Sequence, residues 1–276
     1  MSPEPRPIVF LSDYGLEDDF VGICHAVMAR ISPQSSVIDL SHAVPPQDVV
    51  RGALVLHRAI PFLPTDAVVL AVVDPGVGTP RLPVAVQTIR HGRLLIGPDN
   101  GLLSLAWLLD QGVAAAVKIA SPSVLLEPVS TTFHGRDIFA PAAAHLARGM
   151  ALKDLGPPVD PASLVSLSLP TARAEPGRVS AEVLAVDRFG NLQLSARVDD
   201  LRAAGMADLQ RLEVVGRDRR TDMRRAVTFG DVPEGALGLI VDSSGWLSVV
   251  LNRGSAAEVT GLAAGDAVAL RASAST

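Results

Sequence analysis

The chain has 276 residues, 48% of them apolar and 19% charged, with 24 basic against 29 acidic side chains for a net charge of −5. At about 150 residues per domain this is one large or two ordinary globular domains, too apolar for a disordered chain. It carries no lysine or arginine run that would neutralise a series of phosphates, so no nucleic-acid partner is expected. The single cysteine, Cys24, excludes an internal disulfide and a multi-thiolate metal centre and suits a reducing compartment. No apolar stretch nears the roughly 18 residues that cross a bilayer, and MSPEPRPIVFLSDYG lacks the order of a signal peptide. A cytoplasmic protein with no membrane partner is expected.

In the first half, β-branched runs alternate with helical patterns. Residues 7–12 read as a buried strand. From Asp18 to Ile31 the apolar residues Phe20, Ile23, Cys24, Val27, Met28 and Ile31 recur at steps of three and four, the stripe of an amphipathic helix whose positive end meets Asp18 and Asp19. Strands are expected at 36–40, 67–73, 83–88, 93–97 and 115–120, and helices at 47–61 and near 101–110 and 135–149. Strand and helix in alternation imply an α/β domain with a mostly parallel sheet over residues 1–160. The stretch 156–177 holds five prolines and no helical period, so 161–177 reads as a linker. Short strands near 179–186, 211–215, 224–229, 236–241, 246–252 and 267–272 then predict a small β-barrel over 178–276.

Polar residues crowd where predicted strands end, the place where open α/β sheets bind ligands. SDYGLEDD puts Asp13 just past the first strand, with Asp18 and Asp19 at the next helix; such carboxylates suit a ribose diol, an ammonium group or a hard cation, and equally a helix cap. VVDPGVGTPR sends Asp74 into a Pro–Gly turn, from which Arg81 can fold back onto it. With two glycines it is neither a P-loop nor a dinucleotide fingerprint, and its plainer reading is a turn with a surface ion pair. STTFHGRD places His134 at a helix entrance, with Thr131 and Thr132 as natural caps. The other histidines, His25, His42, His57, His91 and His145, show no HxxxH spacing, which disfavours a zinc hydrolase. In the second domain, VDRFGN and DSSGWLSVVLNRGSA contribute Asp187, Phe189, Asn191, Ser243 and Asn252, a set fit for a purine or an amino-acid head group although each is common in turns. No nucleophile elbow or reactive-cysteine context appears, so covalent catalysis is not expected.

Taken together and in order, SDYGLEDDFVG, SHAVPPQDVVRGA, VVDPGVGTPR, GPDNGLL, STTFHGRD, DRFGN and LNRGSAAE resemble the S-adenosyl-L-methionine (SAM) hydrolases, or SAM hydroxide adenosyltransferases, relatives of fluorinase and chlorinase. The resemblance spans nearly the whole chain. It implies an α/β amino-terminal domain, a β-barrel carboxy-terminal domain, and a homotrimer that holds SAM between the first domain of one subunit and the second of its neighbour. It implies a water-activating set of Asp74, Arg81 and His134, with Asp13 on the ribose hydroxyls, Asp18, Asp187 and Ser243 on the methionine part, Asn191 and the backbone of Asn252 and Arg253 on adenine, and Phe189 packed against the base. It also implies that neither a metal nor an organic cofactor serves the reaction.

By the same resemblance, halogenating members carry an aromatic residue at the Asp74 position and lack the histidine. A carboxylate there repels a halide and can orient water, so hydrolysis of SAM to adenosine and methionine is expected. Gln47 stands where fluorinases have a tryptophan, which favours the same branch, whereas LQLSAR after DRFGN departs from the family pattern near the adenine contacts. The competing readings are a SAM-dependent halogenase, a non-catalytic SAM or adenosine sensor and, more distantly, a calcium-dependent nucleoside hydrolase.

Overall fold

The computed structural model describes residues 5–217 and 219–273. The chain divides into two compact units, with the division between Leu167 and Ser168.

The first unit is built on a seven-stranded sheet. Its strands are β1 (Ile8–Ser12), β2 (Val37–Ser41), β3 (Val68–Val72), β4 (Pro83–Thr88), β5 (Leu94–Pro98), β6 (Val113–Lys118) and β7 (Pro158–Val159), in the order β2-β1-β3-β5-β4-β6-β7. The run β2-β1-β3-β5 is parallel, and β4, β6 and β7 extend it antiparallel. Every residue of β1 and β3 is buried, as expected for strands covered on both faces.

Because successive side chains point to opposite faces, Ile8, Phe10, Val68, Leu70 and Val72 pack on one side with Cys24 and Met28 of helix α1 (Phe20–Ile31) and Ala143 and Leu146 of helix α4 (Ala140–Ala147). Val9, Leu11, Val69 and Ala71 pack on the other side with Leu56 of helix α2 (Val49–Ala59) and Trp107 of helix α3 (Ser104–Leu109). The sheet therefore carries a helical layer on each face.

The second unit contains strands β8 (Arg173–Glu175), β9 (Arg178–Val186), β10 (Leu192–Leu194), β11 (Arg211–Gly216), β12 (Arg219–Arg225), β13 (Leu237–Val241), β14 (Leu247–Leu251) and β15 (Ala267–Ala272), and helices α5 (Val198–Ala203) and α6 (Ala256–Thr260). The order β9-β15-β11-β12-β13-β14-β10 closes through a β10–β9 pairing into a seven-stranded barrel, with β8 added outside β9. Closure leaves no free edge among the seven, and Val179, Leu192, Val214, Met223, Leu239, Val249 and Leu270 fill the interior.

Several expected elements shift. The strand expected at 224–229 lies at Arg219–Arg225, and Phe229–Asp231 form a 3-10 turn with Val227 87% exposed. The sequence RRTDMRR hides the strand because only Met223 of it faces the core. The proline-rich stretch is partly ordered by pairing: Lys118 N–H donates to the Pro157 carbonyl, Pro158–Val159 join the first sheet beside β6, and Leu167 N–H donates to Ser104 Oγ. Among the described residues, no helix is long and apolar enough to cross a membrane.

Gly97 in β5 illustrates how tightly the first sheet is assembled. A Cβ there would sit 2.4 Å from the Ala71 carbonyl oxygen of neighbouring β3, a backbone contact that no rotamer change relieves. Gly97→Ala is expected to destabilise the protein by about 1–3 kcal/mol, the usual cost of overpacking. Urea denaturation checks this, and an unchanged midpoint would show that the strands part freely at this point.

Candidate active site

Parallel pairing places the ends of β1 and β3 side by side. Ser12 is in register with Val72, and Asp13 N–H donates to the Val72 carbonyl at 3.3 Å, so Asp13 and Asp74 leave adjacent strands. Asp13 Oδ2 accepts the Gln47 N–H at 2.8 Å, and Gln47 adopts φ 66°, a left-handed conformation that a non-glycine residue rarely holds unless its surroundings enforce it. Burial raises the Asp13 carboxyl above its ordinary pKa against the lowering effect of the backbone bonds, and the nearby negative charge of Asp74 pushes in the same direction as burial.

After β3 the chain turns through Asp74–Thr79, with Val77 N–H donating to the Asp74 carbonyl and Thr79 Oγ donating to the Gly76 carbonyl at 2.6 Å. Gly78 has φ 76°, and a Cβ on it would lie 2.6 Å from the Thr131 carbonyl oxygen, so this turn and the segment carrying His134 approach at backbone distance. The turn returns Arg81 onto Asp74. Arg81 Nε donates to Oδ1 at 2.9 Å and to Oδ2 at 3.1 Å, and Nη2 also donates to Oδ2. Both side chains are largely buried, at 9% and 7% exposure, which makes this more than the surface pair a bare turn would carry. Arg81 Nη2 lies 2.7 Å from His134 Nδ1, and the Arg81 guanidinium stands 5.2 Å from the centre of the Phe139 ring. Asp74, Arg81 and His134, separated by up to 60 positions in the chain, thus form one hydrogen-bonded set.

His134 opens a π-helical turn, Gly135–Phe139, that leads into α4, a wide turn often found at functional sites. The expected threonine caps are not made: His134 occupies the N-cap position and no side chain bonds the turn there. The segment is held instead by Asp137, which accepts Arg136 Nε at 2.6 Å, Arg136 Nη2 at 2.9 Å and Ser130 N–H at 2.8 Å. Burial alone would raise the Asp137 carboxyl, but these bonds and the Arg136 charge hold it below its ordinary value. His134 is depressed by burial and then by the Arg81 charge, which together outweigh Asp74, Asp137 and a bond with the Ser130 backbone. The guanidinium can only donate, so Nδ1 accepts and the ring proton sits on Nε2.

Tyr14 is the residue of this site that sequence reasoning passed over. Its ring meets Phe133 and Phe20 at 5.8 and 5.7 Å, and its hydroxyl is held well above the ordinary tyrosine pKa by burial, aided by Cys24, Asp13 and Asp74. The SDYG motif already contained the signal: an aromatic residue directly after a strand-end aspartate. Asp18 lies exposed on the loop between β1 and α1, and Asp19 is the α1 N-cap without a side-chain bond.

In the second unit Asp187 is committed to its own turn: Oδ1 accepts Phe189 N–H at 2.8 Å and Asn191 N–H at 2.9 Å, and Oδ2 accepts Asn191 Nδ2 at 2.8 Å. Asn252 Nδ2 likewise donates to the Val232 carbonyl at 2.6 Å, while Arg253, at φ 62°, pairs with Glu234 at 3.1 Å. Phe189, Asn191 and Arg253 line one depression of about 390 Å³ together with Phe229, Leu251 and Gly254. Phe229 is a second aromatic wall that the misplaced strand concealed. Ser243 is exposed, beside Asp242, whose carboxylate gathers Ser244 N–H, Trp246 N–H, Gln193 Nε2 and Ser248 Oγ. A larger depression of about 500 Å³ on the same barrel, lined by Arg211, Thr221, Asp222 and Arg224 among others, contains none of the residues singled out from the sequence, so volume alone does not locate the chemistry.

The order of these segments and the two-unit build are those of one class of proteins. Residues 8–156 match the family model of the SAM hydroxide adenosyltransferase N-terminal domain and residues 181–269 that of its C-terminal domain, and the chain belongs to that family. It is 49% identical over 269 residues to a protein of Salinispora tropica named (R)-S-adenosyl-L-methionine hydrolase, covering 96% of this chain and 97% of that one. It is 30% identical to a fluorinase of Actinopolyspora mzabensis over 91% of this chain and 93% of that one. A crystal structure of an uncharacterized conserved protein from Thermotoga maritima superposes with a TM-score of 0.88 at 35% identity, covering 96% and 99% of the two chains.

Two predictions follow from the packing and charge of this site. A Cβ on Gly135 would lie 2.0 Å from the Tyr14 hydroxyl oxygen, so Gly135→Ala should lower turnover at least tenfold by displacing Tyr14, and adding Tyr14→Phe should recover part of the loss. No recovery in the double variant would mean that the tyrosine is not what the methyl group strikes. The second concerns the sign of a charge effect. Arg81→Ala removes a cation that depresses His134 and leaves Asp74 and Asp137, so the His134 pKa, followed by the NMR shift of its ring protons, should rise. A fall or a constant value would contradict the guanidinium–imidazole contact.

Proposed function

We propose that the protein hydrolyses S-adenosyl-L-methionine to adenosine and L-methionine, with Asp74, Arg81 and His134 directing the attacking water. The observation that carries this reading is the joint grip of Asp74 and His134 on one guanidinium at the carboxyl end of the parallel strands. The near full-length similarity to proteins named as hydrolases supports it.

SAM carries a sulfonium, so methionine departs as a neutral thioether and needs no general acid. A water oxygen bonds to the ribose C5′ as the C5′–S bond breaks and its electron pair goes to sulfur; one water proton is released to solvent. The protein's task is then in-line positioning. Arg81 supplies a cation that favours the hydroxide form of a neighbouring water, and neutral His134 holds the guanidinium from its other side through Nδ1. Asp74 matches the guanidinium charge, so the wall presents directed donors rather than a net positive charge that would retain a halide. Asp13, fixed by the Gln47 N–H, is the candidate for the ribose hydroxyls. Asp18 and Ser243 are candidates for the methionine end, and Phe189, Asn191 and Arg253 for the base. Asp187 would act mainly by shaping the turn that presents Asn191. We assign the working form as a homotrimer with sites shared between neighbouring subunits, a reading supported by the family resemblance and measurable by sedimentation.

Chromatography of the products formed from SAM, with and without chloride or fluoride, tests the reaction. Adenosine and methionine in equal amounts are expected whether or not halide is present. A 5′-halo-5′-deoxyadenosine would indicate halogenation, free adenine a nucleoside hydrolase, and binding without turnover a sensor. The hydrolase relatives are named for the (R) form, so both sulfonium epimers belong in the assay. Asp74→Ala, Arg81→Ala and His134→Ala should each reduce turnover by about 10²-fold or more while calorimetry still detects SAM binding; near-parental turnover in all three would remove these roles.

A further inference from the structure

A second cluster of chemically capable side chains lies outside the Asp74–Arg81–His134 set. His25 on α1, Asp39 on β2 and His42 just after β2 bring one ligand atom each within 4.8 Å of one another. Asp39 Oδ1 is 2.8 Å from His25 Nε2 and 3.1 Å from His42 Nε2. Ligands bound at 2.0–2.2 Å to a first-row divalent ion stand about 3 Å apart along an octahedral edge and slightly further apart in a tetrahedron, so both His–Asp pairs already have the spacing of neighbouring ligands, and the two imidazole nitrogens lie within 4.8 Å of each other.

The His42 side chain is 3% exposed, and its Nδ1 lies 2.7 Å from Ser12 Oγ. Its Nε2 is buried and makes no hydrogen bond, although the carboxylate oxygen is 3.1 Å away. Nε2 and the carboxylate oxygen thus face each other without a well-aligned hydrogen bond, an arrangement in which both could ligate a cation placed between them. Metal-bound imidazoles are usually oriented by a hydrogen bond at the other ring nitrogen, the position Ser12 occupies here. Phe10 packs against both rings, at 4.6 Å from His42 and 6.1 Å from His25. His25 and Asp39 are 33% and 44% exposed, which opens the cluster to ion entry and to solvent ligands.

We propose that His25 Nε2, His42 Nε2 and the Asp39 carboxylate bind one divalent transition-metal ion, with water completing the coordination. Two imidazoles and one carboxylate select zinc, cobalt or nickel over magnesium and calcium. The ion has no part in the attack on C5′; it fastens α1 to β2 beneath the loop that presents Asp13. Ser12 directly precedes Asp13, and the His42 carbonyl accepts Gly15 N–H at 2.8 Å, so the ion would stiffen this loop. Asp39 and His42 stand three residues apart at the end of β2, but their partner His25 comes from α1, so the sequence shows no complete ligand motif.

Tag-free full-length protein, stripped with chelator, should bind one equivalent of cobalt(II) with visible d–d absorption, be displaced by zinc but not by magnesium, and melt at a higher temperature when loaded. His25→Ala and Asp39→Asn, both at solvent-reaching positions, should each weaken binding at least tenfold. His91→Gln, which alters another half-exposed imidazole beside a carboxylate, should bind as the parent does. Circular dichroism establishes that each variant is folded. Absence of stoichiometric binding, or parental affinity in either His25→Ala or Asp39→Asn, would overturn the proposal and leave the cluster as a proton-linked His–Asp–His ladder. The readout is metal affinity, so it stands or falls separately from the reaction on SAM.

Discussion

The site depends on one guanidinium held from two sides. Arg81 is bonded through Nε and Nη2 to Asp74 and through Nη2 to His134, which sets its plane and leaves its remaining donor, Nη1, outside these bonds. Removing either partner would release a buried cation from one of its restraints, and a charge in that setting is costly to leave unpaired. The same contact sets the histidine's tautomer and adds to burial, the larger cause, in depressing its pKa.

That arrangement requires an unusual closeness of backbone. Gly78 meets the Thr131 carbonyl, and Gly135 meets the Tyr14 hydroxyl, at distances that leave no space for a Cβ. The parallel register of β1 and β3 brings Asp13 beside Asp74, and the like charges help to keep the Asp13 carboxyl raised. Fold and electrostatics are therefore linked: a sheet packed on both faces is rigid enough to hold two acidic residues at neighbouring strand ends and to set an arginine against only one of them.

The barrel makes the opposite use of its polar residues. Asp187, Asn191 and Asp242 spend hydrogen bonds on their own turns and Asn252 ties its turn to the Val232 carbonyl, and Phe189, Phe229 and Arg253 lie around one depression. The turn reading and the binding reading of these residues are complementary, because a turn locked by its own side chains is a rigid support for whatever its neighbours contact.

Much of this was legible in the amino-acid order. Periodicity of three and four disclosed α1, unbroken apolar runs disclosed β1 and β3, and motif order disclosed the family, because local pattern and burial are properties of neighbouring residues. Other features were not legible. The strand at Arg219–Arg225 escaped because RRTDMRR has a single apolar side chain, Met223, and so lacks the alternation that marks a half-buried strand. The role of Tyr14, the left-handed Gln47 and the His25–Asp39–His42 cluster arise from segments that meet only after the chain has packed. Residue types and their spacing settle which chemistry is available, whereas distance, burial and the partner of each charge come from contacts between positions remote in sequence, and these exist only in the folded molecule.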